Sequence, residues 1–534
     1  MATAAQRIVG AVTLLVVAGV VLAPRMSNNR YHSGVVAGAL AVVILAWTLL
    51  TGFPVIGRFR GRRVPERVWD VAAAVLCLSG TGLAGLIAYE GAYGVTWDPR
   101  MVESSSAVPP ADFTENEIQY FSHFPNMLPL LAIARTLRSW GSPVGVADYD
   151  AMFGVLNSGG LLVTALALYL TIRMARGPAW GVLGLLLLFA LLGTSPWLAV
   201  PYTDMLALWT PITAVALFTF ALRRGRWRHL VLLAAGGAVL GVGTTVKATP
   251  SVGLVALLLT LAVVAISRGG LPSPSRRWLA AGALVAVAGF VATTAVAFSW
   301  VQQNAGTPSL PADRGATPLT YVASGVRVQY DNPVGITYGG YDAVVWHRTQ
   351  YRDKATQNRV SLELIQQEWD AQGPAGMAGF AVEKTLFNWG DGMFWAWGEG
   401  TDADQAPLRR GPLAEAVGGW NRPDGDNFTL RVIAAQVTWL AVLSAMGVGL
   451  LLSRRRPEIL LAALTVVGIA VFTLVFQGRS RYLIGHVPVI VTLSACLVPA
   501  PRRSREPAVE PPGDSSARPE TAGGFATARG SSIS

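Results

Sequence analysis

Cysteine and histidine are scarce in this 534-residue chain, with 2 and 5 residues, and only 14% of its residues are charged. Both cysteines, Cys77 and Cys496, lie inside apolar runs, so no disulfide framework or thiolate zinc site can be read from them. No glycine-rich loop followed by Lys-Ser or Lys-Thr occurs, which leaves the chain without the usual phosphate cradle of a nucleotide enzyme. Internal repeats are lacking too, so neither the inverted halves of a transporter nor a solenoid is supported.

What the chain has in abundance is apolar sequence: 52% of its residues are hydrophobic, too many for a soluble protein of ordinary composition. The apolar residues come in runs of membrane-spanning length. They are 8–23, 34–53, 69–89, 151–172, 180–200, 205–222, 230–246, 252–266, 278–301, 432–452, 459–476 and 483–498. The net charge of +11 does not point to nucleic acid, because the basic residues sit in short clusters between runs. Arg223, Arg224, Arg226 and Arg228 form one such cluster, and Arg454, Arg455 and Arg456 another. Almost purely basic loops at alternate positions are the mark of cytoplasmic loops. Twelve spans with both termini inside fit that pattern.

The expected fold is an all-α polytopic membrane protein with about 12 transmembrane helices, carrying a small external α+β or irregular domain between spans nine and ten. Residues 1–68 hold two N-terminal spans and a basic loop, and 69–301 a membrane core with a first external loop at 90–150. Residues 302–431 are the external polar domain, strand-like around Tyr321 to Tyr341 and helical around Val360 to Glu383. Three spans fill 432–500. The tail 501–534, rich in Pro, Gly, Ser, Ala and Arg, cannot bury a core and is expected to be disordered and cytoplasmic.

The stretch from Trp97 to Trp140 follows directly on the third span and brings Asp98, Glu103, Asp112, Glu115 and Glu117 to a membrane surface. Acids at a span's mouth are candidates for chemistry on a substrate that itself lives in lipid. Three more positions fall on the same face: Asp204 after the helix breakers Pro196 and Pro201, Lys247 in a tight turn, and Arg479, Arg481 and Tyr482 ahead of the last span. A carboxylate to take a hydroxyl proton and cations to hold a leaving phosphate are what transfer from a lipid phosphate requires. Each residue also has a plainer reading. Lys247, Arg479 and Arg481 serve equally as anchors near lipid headgroups, Asp204 as a helix cap, and Asp98 as a turn residue. The aromatic cluster Phe387, Trp389, Phe394, Trp395 and Trp397 reads as an interfacial belt before a sugar-stacking surface.

Taken in order, these motifs resemble the GT-C membrane glycosyltransferases, the class of protein O-mannosyltransferases and the lipid A aminoarabinose transferase. The shared features are an acid soon after a span and the segment Tyr120, Phe121, Phe124, Pro125 opening an interfacial helix. Tyr202-Thr203-Asp204 is similar to that family's second acidic loop, Lys247 to its Thr-Lys turn, and Arg479-Ser480-Arg481-Tyr482 to its basic-aromatic opening of a late span. The resemblance implies a polyprenyl-phosphate sugar donor, inversion at the anomeric carbon and an extracytoplasmic site in the cell membrane. Asp98 and Asp204 would be catalytic, and Lys247, Arg479, Arg481 and Tyr482 would hold the donor phosphate. Glu103, Tyr120, His123 and Tyr202 would bind substrate. No metal site and no required cofactor is read from the sequence, and a divalent metal stays compatible with it. The acceptor would be a cell-envelope glycan, lipid or protein, with membrane lipid as the medium and no nucleic acid. The alternative is a transporter or flippase of a lipid-linked saccharide, which needs charges near the midplane, whereas here they fall at the ends of the runs.

The alternation of basic loops generates a topological prediction. Ser104→Cys and Ser309→Cys react with an impermeant maleimide on intact cells and Ser453→Cys does not; labelling at Ser453 or protection at Ser104 reverses the orientation.

Overall fold

Helices cover the apolar runs, wholly or for the greater part of each, in a computed structural model of the chain. The structure describes residues 2–25, 33–52, 64–141, 148–266, 275–308, 310–311, 313–330, 335–397, 407–452 and 456–497, all within one compact unit. The expected tail 501–534 lies outside the described residues. Among the described residues eight helices are long and apolar enough to cross a membrane, by length and composition: Ala4–Leu22, Glu66–Glu90, Tyr149–Arg176, Thr203–Arg224, Trp227–Val246, Arg276–Ala305, Phe428–Leu452 and Pro457–Val475. Ser33–Ala46, Pro178–Gly193 and Ser251–Ile266 are shorter apolar helices on three further runs. On the helix Arg276–Ala305 the side chains of Leu284 and Val296 are each 70% exposed. Such apolar exposure along a whole helix is costly in water and ordinary against lipid.

Helix packing in lipid gains nothing from hydrophobic transfer, so close backbone approach has to supply it. The helices Leu230–Val246 and Arg276–Ala305 show how. A Cβ at Gly237 would lie 2.0 Å from the carbonyl oxygen of Ala286, and one at Gly289 would lie 2.3 Å from that of Ala234. Gly237 and Gly241 are four apart, on one helix face, and the two backbones meet along it. This pair fixes the height of Val246 and hence of Lys247, whose N–H closes the helix on Gly243 at 2.8 Å.

After Glu90 the chain turns into the helix Trp97–Ala107, then Glu115–His123 and Leu128–Gly141. Their junction is held by Glu117, which completes a capping box with Thr114 and accepts a hydrogen bond from Ser105 at 2.7 Å. Arg135 donates to the carbonyls of Ser105 and Val108 at 3.0 and 2.9 Å, tying the third of these helices to the first. Of the five acids in this loop Glu117 is thereby structural.

In the polar segment 302–431, Tyr321 belongs to a helix, Pro318–Gly325, instead of a strand, and among the described residues Val328–Gln329 and Thr337–Tyr338 pair as a short antiparallel ladder. The expected helix is present and longer, Lys354–Trp389, bent at Gly373, whose φ of 64° precedes Pro374. Near its end Lys384 is fully buried, and its ammonium donates to the carbonyls of Gly325, Leu474 and Phe476 at 2.7, 2.9 and 2.7 Å. Three acceptors match the three donors of a lysine, so one side chain binds the polar segment to the end of the span Pro457–Val475.

The aromatic cluster at 387–397 is not an interfacial belt. Phe387, Trp389, Phe394 and Trp395 are all buried, because Asp391 draws the chain into a tight loop, accepting from the N–H groups of Met393 and Trp395 and from Ser480 Oγ. Trp197 and Trp439 complete the packing by donating to the carbonyls of Phe394 and Trp389, each at 2.8 Å.

The glycine seam generates a prediction. Gly237→Ala forces the two helices apart and lowers the thermal midpoint of the detergent-purified protein by several degrees, whereas Gly159→Ala, with open space around its Cβ position, leaves it unchanged or slightly raised. Equal effects of the two substitutions contradict the seam.

Candidate active site

Six chain segments meet where several spans end on one face, one of them the stretch 124–127. The helix Trp97–Ala107 presents Trp97 and Asp98, and the break around Pro196 and Pro201 presents Tyr202 and Thr203. The turn between Val246 and Ser251 supplies Lys247, and the helical turn Ser480–His486 supplies Arg481 and Tyr482. The polar segment closes the ring with Tyr321, Tyr341 and Trp346. Together they enclose a cavity of about 470 Å³, the size of a small-molecule site.

Asp98 is held by two phenols. Tyr120 donates to its Oδ1 at 2.5 Å and Tyr202 to its Oδ2 at 2.7 Å. Burial, and then the charge of Asp98, hold the Tyr120 hydroxyl well above its ordinary range, and burial does the same for Tyr202. Both therefore stay neutral donors and fix the position of the carboxylate. Each carboxylate oxygen keeps a second lone pair for a further donor.

Asp204 is handled differently. Its side chain is 1% exposed and sits between two cations, Lys247, which donates to Oδ1, and Arg481, whose Nε lies 3.9 Å from Oδ2. Tyrosine rings back both cations: Lys247 lies 4.3 Å from the Tyr482 ring centre, and Arg481 lies 4.6 Å from that of Tyr202 and 5.5 Å from that of Tyr482. Tyr202 thus links the two carboxylates, bonding Asp98 through its hydroxyl and carrying Arg481 on its face. One carboxylate shared by two cations at a cavity wall leaves that wall electropositive.

Of the residues singled out from the sequence, Asp98, Tyr202, Lys247, Arg481 and Tyr482 line the cavity, and Tyr120 and Asp204 are bonded directly to lining residues. Three others do not line it. Arg479 is fully buried behind the wall, its guanidinium 4.7 Å from the centre of the Trp395 ring. Glu103 lies away from the cavity, where its carbonyl and the hydroxyl of Ser106 meet Arg138. His123 is buried edge-on against Phe124 and Trp346, and burial lowers its pKa, so the ring is neutral packing. Sequence reasoning missed Tyr321, Tyr341 and Trp346, which lie far along the chain and carried no motif, and Lys384, inside the long helix Lys354–Trp389.

The backbone at Trp97 is strained. Its φ of 59° is in the left-handed region, which a bulky side chain occupies at a cost of about 1–3 kcal/mol. The strain turns an indole that is 58% exposed onto the cavity rim beside Asp98. Among the described residues no group of three or more His, Cys, Asp or Glu side chains gathers.

Solved structures with similar architecture include the Archaeoglobus fulgidus oligosaccharyltransferase tethered with an acceptor peptide containing the NVT sequon, at 14% identity and a TM-score of 0.38, covering 79% of this chain and 49% of that one. The archaeal oligosaccharyltransferase AglB from Archaeoglobus fulgidus, in complex with an inhibitory peptide and a dolichol-phosphate, matches at 11% identity and a TM-score of 0.31, covering 79% and 50%. This chain spans about half the length of those enzymes. Comparison with curated proteins gives no match. The family model described as "Conserved hypothetical integral membrane protein" matches residues 26–501, and over that length the chain belongs to this family of multi-pass membrane proteins.

Proposed function

We propose that the protein is a membrane glycosyltransferase that moves a sugar from a polyprenyl-phosphate carrier to a hydroxyl acceptor on the extracytoplasmic face, with inversion at the anomeric carbon. The observation that carries the reading is the pairing, in one cavity at the ends of the spans, of a tyrosine-held carboxylate with a two-cation wall. Asp98 accepts the proton of the acceptor hydroxyl as its oxygen bonds to the anomeric carbon. The bond from that carbon to the phosphate oxygen breaks, and the polyprenyl phosphate leaves with its charge held by Lys247 and Arg481. Tyr482 backs both cations, and Asp204 orients them. Arg479 supports the same turn from behind through Trp395, a positioning role instead of direct phosphate contact. Twelve crossings with both termini in the cytoplasm put this cavity outside, where lipid-linked sugars and cell-envelope acceptors meet.

Loss of a general base typically costs on the order of 100-fold to 10,000-fold in rate. Asp98→Asn keeps the shape of the side chain and cannot take the proton, so transfer from a radiolabelled polyprenyl-phosphate sugar falls by that order while donor binding and the melting temperature persist. Asp204→Asn has the opposite signature: it leaves the buried Arg481 and the half-buried Lys247 without their carboxylate, so expression and melting temperature fall with activity. Near-normal transfer by the Asp98 variant overturns the assignment of the base, and transfer by both variants overturns the mechanism.

A further inference from the structure

The cavity lining holds two unlike sets of residues. One set is cationic: Arg481 on the Tyr202 ring, with Lys247 and Arg481 both against Tyr482. The lining also holds an aromatic group, Trp97, Phe124, Tyr321, Tyr341 and Trp346, with Asn126, all uncharged. These rings are organised as one surface. Tyr341 and Trp346 stack with an interplanar angle of 8° and centroids 5.8 Å apart, Tyr321 meets Trp346 edge-on at 5.5 Å, and Trp97 tilts against Tyr341 at 6.3 Å. Two of these lining rings are exposed: Trp97 is 58% and Tyr341 36% exposed. Trp97 holds that position against backbone strain, immediately beside Asp98. Tyr321 donates to the side-chain carbonyl of Asn126 at 3.4 Å, placing a hydroxyl and an amide along the same wall.

We infer that this wall is the acceptor subsite, and that the acceptor it takes is a carbohydrate chain whose ring stacks on Trp97 and Tyr341 and delivers a hydroxyl to Asp98. The inference rests on the transferase reading for the reaction, and on the wall itself for the ligand class. A sugar presents apolar C–H faces to aromatic rings and hydroxyl edges to an amide and phenols, and it carries no charge that an uncharged wall would have to answer. A lipid headgroup phosphate would instead be drawn to the cationic set. Three of these six residues come from the polar segment 302–431 and three from the loop that carries Asp98, whereas Lys247 and Arg481 come from neither, so acceptor choice and donor phosphate binding belong to different parts of the chain.

The test uses the full-length protein in nanodiscs and a short unbranched neutral hexose oligosaccharide as probe, with a hydroxyl-bearing peptide as competitor. The oligosaccharide is expected to bind by calorimetry and to quench tryptophan fluorescence. Trp97→Gly, which accepts the positive φ and removes only the ring, and Tyr341→Ala should each weaken that binding, and raise KM for the oligosaccharide as acceptor, by about tenfold, the worth of a lost ring contact. Trp97→Phe should recover most of the affinity. Unaltered oligosaccharide binding in both ring-removal variants, or binding of the peptide and not the sugar, overturns the inference. Oligosaccharide binding that depends on both rings, in a protein that transfers from no polyprenyl-phosphate sugar, upholds the carbohydrate site and overturns the transferase reading alone.

Discussion

The sharing of one buried carboxylate by two cations is the constraint from which the site follows. Taking Asp204, Lys247 and Arg481 out of water is expensive, and removing one member of such a set typically costs about 3–5 kcal/mol. The fold therefore has to bring three chain segments to one point: the start of the span Thr203–Arg224, the turn after Val246, and the turn after Val475. Aromatic faces reduce the cost by giving both cations a polarisable surface in place of water. The remaining positive field faces the cavity, and it suits an anion that arrives with its own hydrocarbon chain.

Asp98, the base in the proposed reaction, is held in a different way. Among the described residues phenols, and no salt bridge, hold it, so it is oriented without a direct ion pair. The distinction separates the roles of two aspartates that look alike in sequence. Tyr202 joins them and transmits the position of each to the other. Behind the cavity, Lys384 and Asp391 do the joinery: one ties the polar segment to the end of a span, the other ties the loop at 391–395 to Ser480 and so to the turn that carries Arg481.

Much of this was legible in the sequence, for a physical reason. Apolar runs of span length become helices almost regardless of context, because a chain in lipid must satisfy its backbone internally. Alternating basic loops then assign every polar turn to one face or the other, and that alone puts Asp98, Tyr202, Lys247, Arg481 and Tyr482 at one end of the bundle. What sequence spacing does not encode is which side of a turn points inward. Arg479 and Arg481 are two residues apart and chemically identical, yet the helical turn aims one at Trp395 and the other at Asp204. The aromatic run at 387–397 looks like a membrane belt until Asp391 is seen to fold it inward. Trp346 and Tyr341 reach the cavity only through long-range packing of a segment with few periodic signals.

The central claim is that the two-cation wall and the tyrosine-held carboxylate face one lipid phosphate. An electron cryomicroscopy structure of the protein in nanodiscs with saturating polyprenyl phosphate tests it most directly. The account predicts phosphate density against Lys247 and Arg481, with the isoprenoid chain leading into the bilayer and Asp98 across the cavity still bonded to Tyr120 and Tyr202. Phosphate density elsewhere on the protein, with this cavity empty at saturation, would contradict it.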